Sequence, residues 1–412
     1  MHGPADTSRT PRTPRADGWA APGFEAVRDG FEAGQRDDPG AAQLAVYQDG
    51  KQVVDVWAGA DVIGGRPVDA GSLSVVMSVT KGVVATCAHL LAQRGLLDLE
   101  APVAAYWPEF ARNGKEDVTV GDLLAHRSGL SAFPPEARIG LPQLLDWDHC
   151  TRVLAAMAPL WRPGTACHYH ALTYGYLVGE VIRRITGHSV GAMLATELSA
   201  PLALDLWIGL PAAEEPRVLA QFTRETRPTA RQVDEELARF GIDRSDPLVG
   251  GTLATMASVA EATEAFNSPA AIAAEIPAAN GVGNARSLAR LHAALIGPVD
   301  GTRLLTADTV EHATAPRTDH LPPPSPFDRL PAGSRSRHAL GYELPASHLP
   351  MLGTGSFGHA GAGGRLAFAQ PRTGTAVAYT CTNLAWNPAA GPDPRWVPWT
   401  AALRDRLGMP AA

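Results

Sequence analysis

The sequence predicts an α+β fold in which one antiparallel sheet, built from both ends of the chain, is flanked by helices and interrupted by an all-helical insertion. Three observations carry this. "AAQLAVYQDGKQVVDVWAGA", residues 41–60, alternates apolar and polar positions about Asp49-Gly50, a pair suited to the positive φ angles of a two-residue hairpin turn. "GRLAFAQPRTGTAVAYTCTN", residues 364–383, reads as a second hairpin through Pro371 to Gly374, and "DPRWVPWTAALRDRLG" follows as a closing helix. Between these ends, residues 120–128, 142–158, 172–186, 189–198, 229–240, 252–266 and 285–296 carry helical spacing, punctuated by Pro and Gly. Strands this far apart in sequence imply a sheet closed by both termini. The expected organisation is a disordered tail at 1–17, a sheet domain from 18–110 and 285–412, a helical domain at 111–284, and an active-site cleft between the two. The proline-rich run 316–337, "PRTDHLPPPSPFDRLPAGSRSR", has the length of a functional loop and is expected to flank that cleft.

Composition narrows the function. The 412 residues are 45% hydrophobic with a net charge of −7, and no segment gathers the basic stripe that phosphate neutralisation requires, so no nucleic-acid partner is expected. No apolar run reaches membrane-spanning length, and no signal-peptide core follows the N-terminus; a cytoplasmic protein without membrane association is expected. Cys87, Cys150, Cys167 and Cys381 are too scattered for a disulfide framework and read as free thiols. The histidines about Tyr169 and the "DWDHC" segment lack metal-ligand spacing, so neither metal nor cofactor is expected. Gly353 to Gly358 matches G-x-G-x-x-G outside the strand-to-helix context of a dinucleotide site, and no G-x-S-x-G elbow occurs. His126 in "AHRSGL" reads as a hydrogen-bonded core histidine. Oligomeric state is not legible.

The chemistry is announced by a lysine. Of 35 basic residues only Lys51, Lys81 and Lys115 are lysine. Lys51 and Lys115 lie in polar turns and are expected in solvent, whereas Lys81 heads the apolar helix of "MSVTKGVVATCAHLLAQRGLL", three residues after Ser78. That spacing stacks a hydroxyl and an amine on one helical face. An alcohol becomes a nucleophile when an adjacent base takes its proton, and burial lowers a lysine pKa towards that role, which arginine cannot fill.

Ser78-Val79-Thr80-Lys81, then Tyr169 before a helix, then His359-Ala360-Gly361 entering a strand, resembles in order and spacing the penicillin-recognising serine hydrolases, and within them the class C β-lactamase-related carboxylesterases (family VIII type) and acyltransferases. The resemblance runs from about residue 20 to 405 and includes "LLAHRSGL" and "LSAPLALDLWIGLP". It implies a β-lactamase/transpeptidase-like fold, with Ser78 acylated, Lys81 as its base and Tyr169 carrying the proton to the leaving group; which of Lys81 and Tyr169 is the base stays open. It also implies an oxyanion hole from the backbone N–H groups of Ser78 and Ala362, and substrate contacts from His359, Gly361 and His170. Where such β-lactamases carry Tyr-x-Asn and Lys-Thr-Gly, this chain has Tyr169-His170-Ala171 and His359-Ala360-Gly361, losing the fixed positive charge that would hold a β-lactam carboxylate. The resemblance therefore implies a carboxylesterase acting on a small ester or thioester. A transacylase on the same acyl-enzyme is the alternative, followed by an amide or β-lactam hydrolase and by a non-catalytic binding module.

Overall fold

The computed structural model describes residues 15–224, 228–330 and 335–410, so most of the expected N-terminal tail lies outside the described residues. Eleven strands are described: β1 (Asp17–Ala20), β2 (Ala42–Gln48), β3 (Lys51–Ala58), β4 (Ser74–Val75), β5 (Leu206–Trp207), β6 (Val282–Gly283), β7 (Arg337–His338), β8 (Glu343–Leu344), β9 (Phe357–Gly361), β10 (Arg365–Gln370) and β11 (Thr375–Cys381). Eight of them form one sheet in the order β1-β3-β2-β11-β10-β9-β8-β7, and β4-β6-β5 form a small second sheet. Both predicted hairpins are present. Asp49 and Gly50 turn β2 into β3 with φ of 50° and 74°, and β10 pairs antiparallel with β11. The two hairpins are joined by β2 and β11, in register from Ala42↔Cys381 to Gln48↔Thr375.

Helices cover both faces of this sheet. Helix α1 (Glu25–Gln35) and the C-terminal helix Val397–Arg406 enclose Phe31, Val56, Phe368 and Trp399 on one side. On the other, the helix Ala285–Ile296 and helix α2 (Val79–Gln93) pack Leu288, Val83 and Ala378 into the larger core. Each large apolar side chain so enclosed contributes roughly 1.5–3 kcal/mol. Double coverage also explains why β2 and β11 are buried along their length rather than alternating in exposure.

Between the sheet halves the chain is largely helical, with some revised boundaries. The helix expected at 120–128 ends at Leu124, before His126 takes the left-handed φ of 59°. The helix expected at 142–158 is split into Leu141–Leu144 and Trp147–Ala156, because the Asp146 side chain caps the second helix at His149 N. The helix expected at 252–266 begins earlier, at Pro247.

Lys115 corrects an expectation. It is fully buried, not solvated, and its Nζ donates to the carbonyls of Arg112, Ala155 and Met157, closing the C-terminus of Trp147–Ala156. Among the described residues no helix is long and apolar enough to cross a membrane, and the four cysteines are free.

Candidate active site

Strand β4 leads into a tight turn that presents Ser78 at the head of α2. Val76 N donates to Gly281 O at 2.8 Å. Thr80 Oγ1 donates to Met77 O at 2.6 Å and accepts from Gly281 N at 2.9 Å. The turn is thus tied to the segment entering β6. Met77 adopts φ of 52°, a left-handed conformation that costs a non-glycine residue roughly 1–3 kcal/mol and persists where the surroundings enforce it.

One helical turn on, Lys81 is fully buried. Its Nζ lies 3.2 Å from Ser78 Oγ and donates to Ala171 O at 2.9 Å and Ala278 O at 2.8 Å. Burial lowers its pKa to about 7, against a smaller upward pull from the Glu343 carboxylate. Backbone carbonyls thus hold the amine without fixing its charge as a carboxylate partner would.

Tyr169 completes the cluster. Lys81 Nζ sits 4.7 Å from its ring centroid, and the rings of His126 and His338 flank it at 4.9 and 6.1 Å. Burial raises the pKa of the phenol, Glu343 raises it further, and its interaction with the Ser78 side chain opposes both. The phenol therefore keeps its proton at neutral pH, while Lys81 lies close to its own titration point. Ser78, Tyr169, Gly361 and Ala362 border one cavity of about 480 Å³, whose wall is mainly apolar and includes Leu172, Met256, Phe266 and Trp386. A second cavity, of about 530 Å³, adjoins Tyr169 and is bordered by Thr318, Asp319 and Arg337 of the proline-rich segment, which accordingly flanks the site.

Two expected substrate contacts are placed differently. His170 is fully buried, with Nε2 2.8 Å from Ser128 Oγ and Nδ1 2.7 Å from His168 O, and belongs to the packing beneath Tyr169 instead of the cavity wall. His359 is 2% exposed, with its ring 6.2 Å from that of Tyr169, because its position on β9 faces α2 at Gly82, where an added Cβ would lie 3.6 Å from the His359 Cβ. Burial, then the Lys81 charge, lower its pKa to about 3, leaving a neutral ring. His126 is buried, and its Nδ1 accepts from His170 N at 3.1 Å.

Gly361 lies on the wall, where a Cβ would come within 2.6 Å of Val76 O and 3.1 Å of Met77 Cβ. Gly361→Ala is expected to push β9 away from the Ser78 turn. It should lower kcat/KM by at least about tenfold and destabilise the fold by ~1–3 kcal/mol, read by ester hydrolysis and thermal denaturation together.

Several contributors had no signal in sequence. The Ala171 and Ala278 carbonyls carry none in principle. Arg365, fully buried, donates from Nε to Val75 O at 3.1 Å and from Nη1 to Ala362 O at 2.9 Å, linking the strand before Ser78 to the turn beside the cavity. Glu343 and Trp386 reach the wall from loops and strands remote in sequence. Among the described residues no group of three or more His, Cys, Asp or Glu side chains is arranged to hold a metal ion.

Residues 27–398 match the Beta-lactamase family. The chain is 38% identical over 383 residues to the Esterase/beta-lactamase LipL of Mycobacterium tuberculosis, covering 90% of this chain and 83% of that protein. A crystal structure of a family VIII carboxylesterase is similar with TM-score 0.78 at 34% identity, over 95% of this chain and 99% of that one. A penicillin-binding protein homologue from Caulobacter crescentus gives TM-score 0.75 at 33% identity, over 95% and 99% of the two chains. Because the family match takes in both halves of the split sheet and the helical region between them, the chain belongs to the β-lactamase family, and is a serine hydrolase of that superfamily.

Proposed function

We propose that the protein is a carboxylesterase that cleaves small esters or thioesters through an acyl-enzyme on Ser78. The observation that carries this reading is a fully buried amine 3.2 Å from the Ser78 hydroxyl, with a pKa brought to about 7. Neutral Lys81 takes the hydroxyl proton as Oγ attacks the carbonyl carbon, and the backbone N–H groups of Ser78 and Ala362 receive the developing oxyanion. Collapse expels the alcohol, which takes a proton from Tyr169, and the phenol regains one from Lys81. Water then attacks the acyl-enzyme and releases the acid, returning Ser78 and the neutral amine. The apolar cavity beside Ser78 supports an apolar acyl or alcohol portion. Free thiols and an expected cytoplasmic location fit together in a reducing compartment.

A lysine base fixes the sign of the pH dependence. Below a pH of about 7 the amine is protonated and cannot accept the serine proton, so kcat/KM should fall as pH falls through that value and level off above it. A profile of 4-nitrophenyl butyrate hydrolysis from acid to mildly alkaline pH checks this; a rate flat through neutrality would remove Lys81 as the base.

Acyl transfer is the second reading, favoured by the additional cavity against Tyr169, where a bound acceptor would meet the proton carrier. Adding candidate alcohols and amines to the ester assay separates the two: transfer raises new ester or amide at the expense of free acid.

A further inference from the structure

Glu343 is the feature of the cavity that the mechanism leaves unused. It is 6% exposed, yet it borders the same wall as Ser78. Its Oε2 accepts from Ala360 N at 2.8 Å and lies 3.3 Å from His359 Nδ1. Both contacts fall on one oxygen, and no hydrogen bond to Oε1 is found among the described residues. A carboxylate has about four acceptor sites, and Oε1 is left open to the cavity, where a donor group of a bound molecule can reach it.

The surroundings do not supply a cation. Among the described residues the wall carries neither lysine nor arginine. The Lys81 amine is already shared between Ser78 Oγ and two carbonyls. Burial lowers the pKa of His359 and of His348, which also borders the cavity. The side chains sharing the wall include Trp386 and Phe266, whose ring faces favour cations where water is excluded.

We infer that Glu343 forms a subsite for a positively charged, amine-bearing group of the ester substrate and excludes substrates that carry a negative charge there. The inference rests on the esterase reading and names the substrate class of that site. A cationic group entering the cavity gains the carboxylate as an ion-pair partner at reduced dielectric, and an anionic group meets it as repulsion. The carboxylate on the wall thereby makes the cleft hostile to a β-lactam carboxylate.

Two ester trios of matched shape test this. One trio places the charge on the acyl chain: 4-nitrophenyl esters of 4-(trimethylammonio)butanoate, 5,5-dimethylhexanoate and 4-sulfobutanoate. The other places it on the alcohol: butyrates of choline, 3,3-dimethylbutanol and 2-hydroxyethanesulfonate, followed by acid release. In at least one trio the wild type should favour the cationic ester over its neutral shape-mate by about tenfold or more in kcat/KM and disfavour the anionic one by a similar factor. Glu343→Gln, which keeps an acceptor for Ala360 N, should bring both ratios close to unity. The ratios are taken within each enzyme, so a general loss of activity divides out. Equal rates within both trios for the wild type, or discrimination that survives in Glu343→Gln, overturns the inference. Should the variant not fold, the wild-type ratios decide alone. Absence of turnover with all six esters removes the esterase reading and the subsite with it, whereas turnover without charge preference removes the subsite only.

Discussion

Ser78→Ala should lower ester kcat/KM by on the order of a thousandfold or more while leaving the protein folded. In the proposed mechanism the hydroxyl supplies the electron pair that attacks the carbonyl, and the other hydroxyl of that turn, on Thr80, is bonded to Met77 O and Gly281 N. The structural cost is small: Lys81 keeps its bonds to Ala171 O and Ala278 O, and the turn keeps its anchors from Val76 and Thr80 to Gly281. Intact-mass measurement after exposure to a fluorophosphonate is the sharpest check. Wild type should gain one adduct and Ser78→Ala none. A folded wild-type protein that stays unmodified would support a binding module instead, and wild-type-like turnover by the alanine variant would refute the mechanism.

Lys81→Arg should be almost as damaging despite preserving charge. A guanidinium does not lose its proton at any pH used for assay, so it cannot receive the one from Ser78. It is also larger than the fully enclosed amine it replaces. Lys81→Met separates these causes, since it nearly matches lysine in volume but offers no base. Both variants should lose on the order of a thousandfold in kcat/KM, and both should lose the acid limb near pH 7 from whatever activity is left. An arginine variant that turns over esters at a rate near wild type would overturn proton transfer by this residue.

The meeting of Ser78 and Lys81 was legible because its geometry is local. Ser78 and Lys81 are one helical turn apart, so their spacing alone predicts that they meet, and the two hairpins declare themselves through turn residues and strand pattern. What could not be read is what burial and tertiary alternation decide. His359 and His170 stand beside the right motifs, but β9 turns the first towards α2 and the second bonds to Ser128. The cavity wall draws Met77, Leu172, Phe266, Glu343 and Trp386 from separate segments, and no short window holds them together. Lys115 is instructive in another way. Its polar neighbours argue for solvent, yet it was one of three lysines in a chain that otherwise uses arginine. That scarcity, applied evenly, would have marked it as well as Lys81.

The adjacency of β2 and β11 sets an order on biogenesis. Residue 42 pairs with residue 381, so a chain growing from its N-terminus carries the first hairpin unpaired along one edge until β11 has been made. Helix-rich segments can consolidate early from neighbouring contacts, while closure of the large sheet waits for Thr375–Cys381 to leave the ribosome. Such a protein reaches its native state late, and a nascent chain stalled before β11 presents an open strand edge for a chaperone to cover.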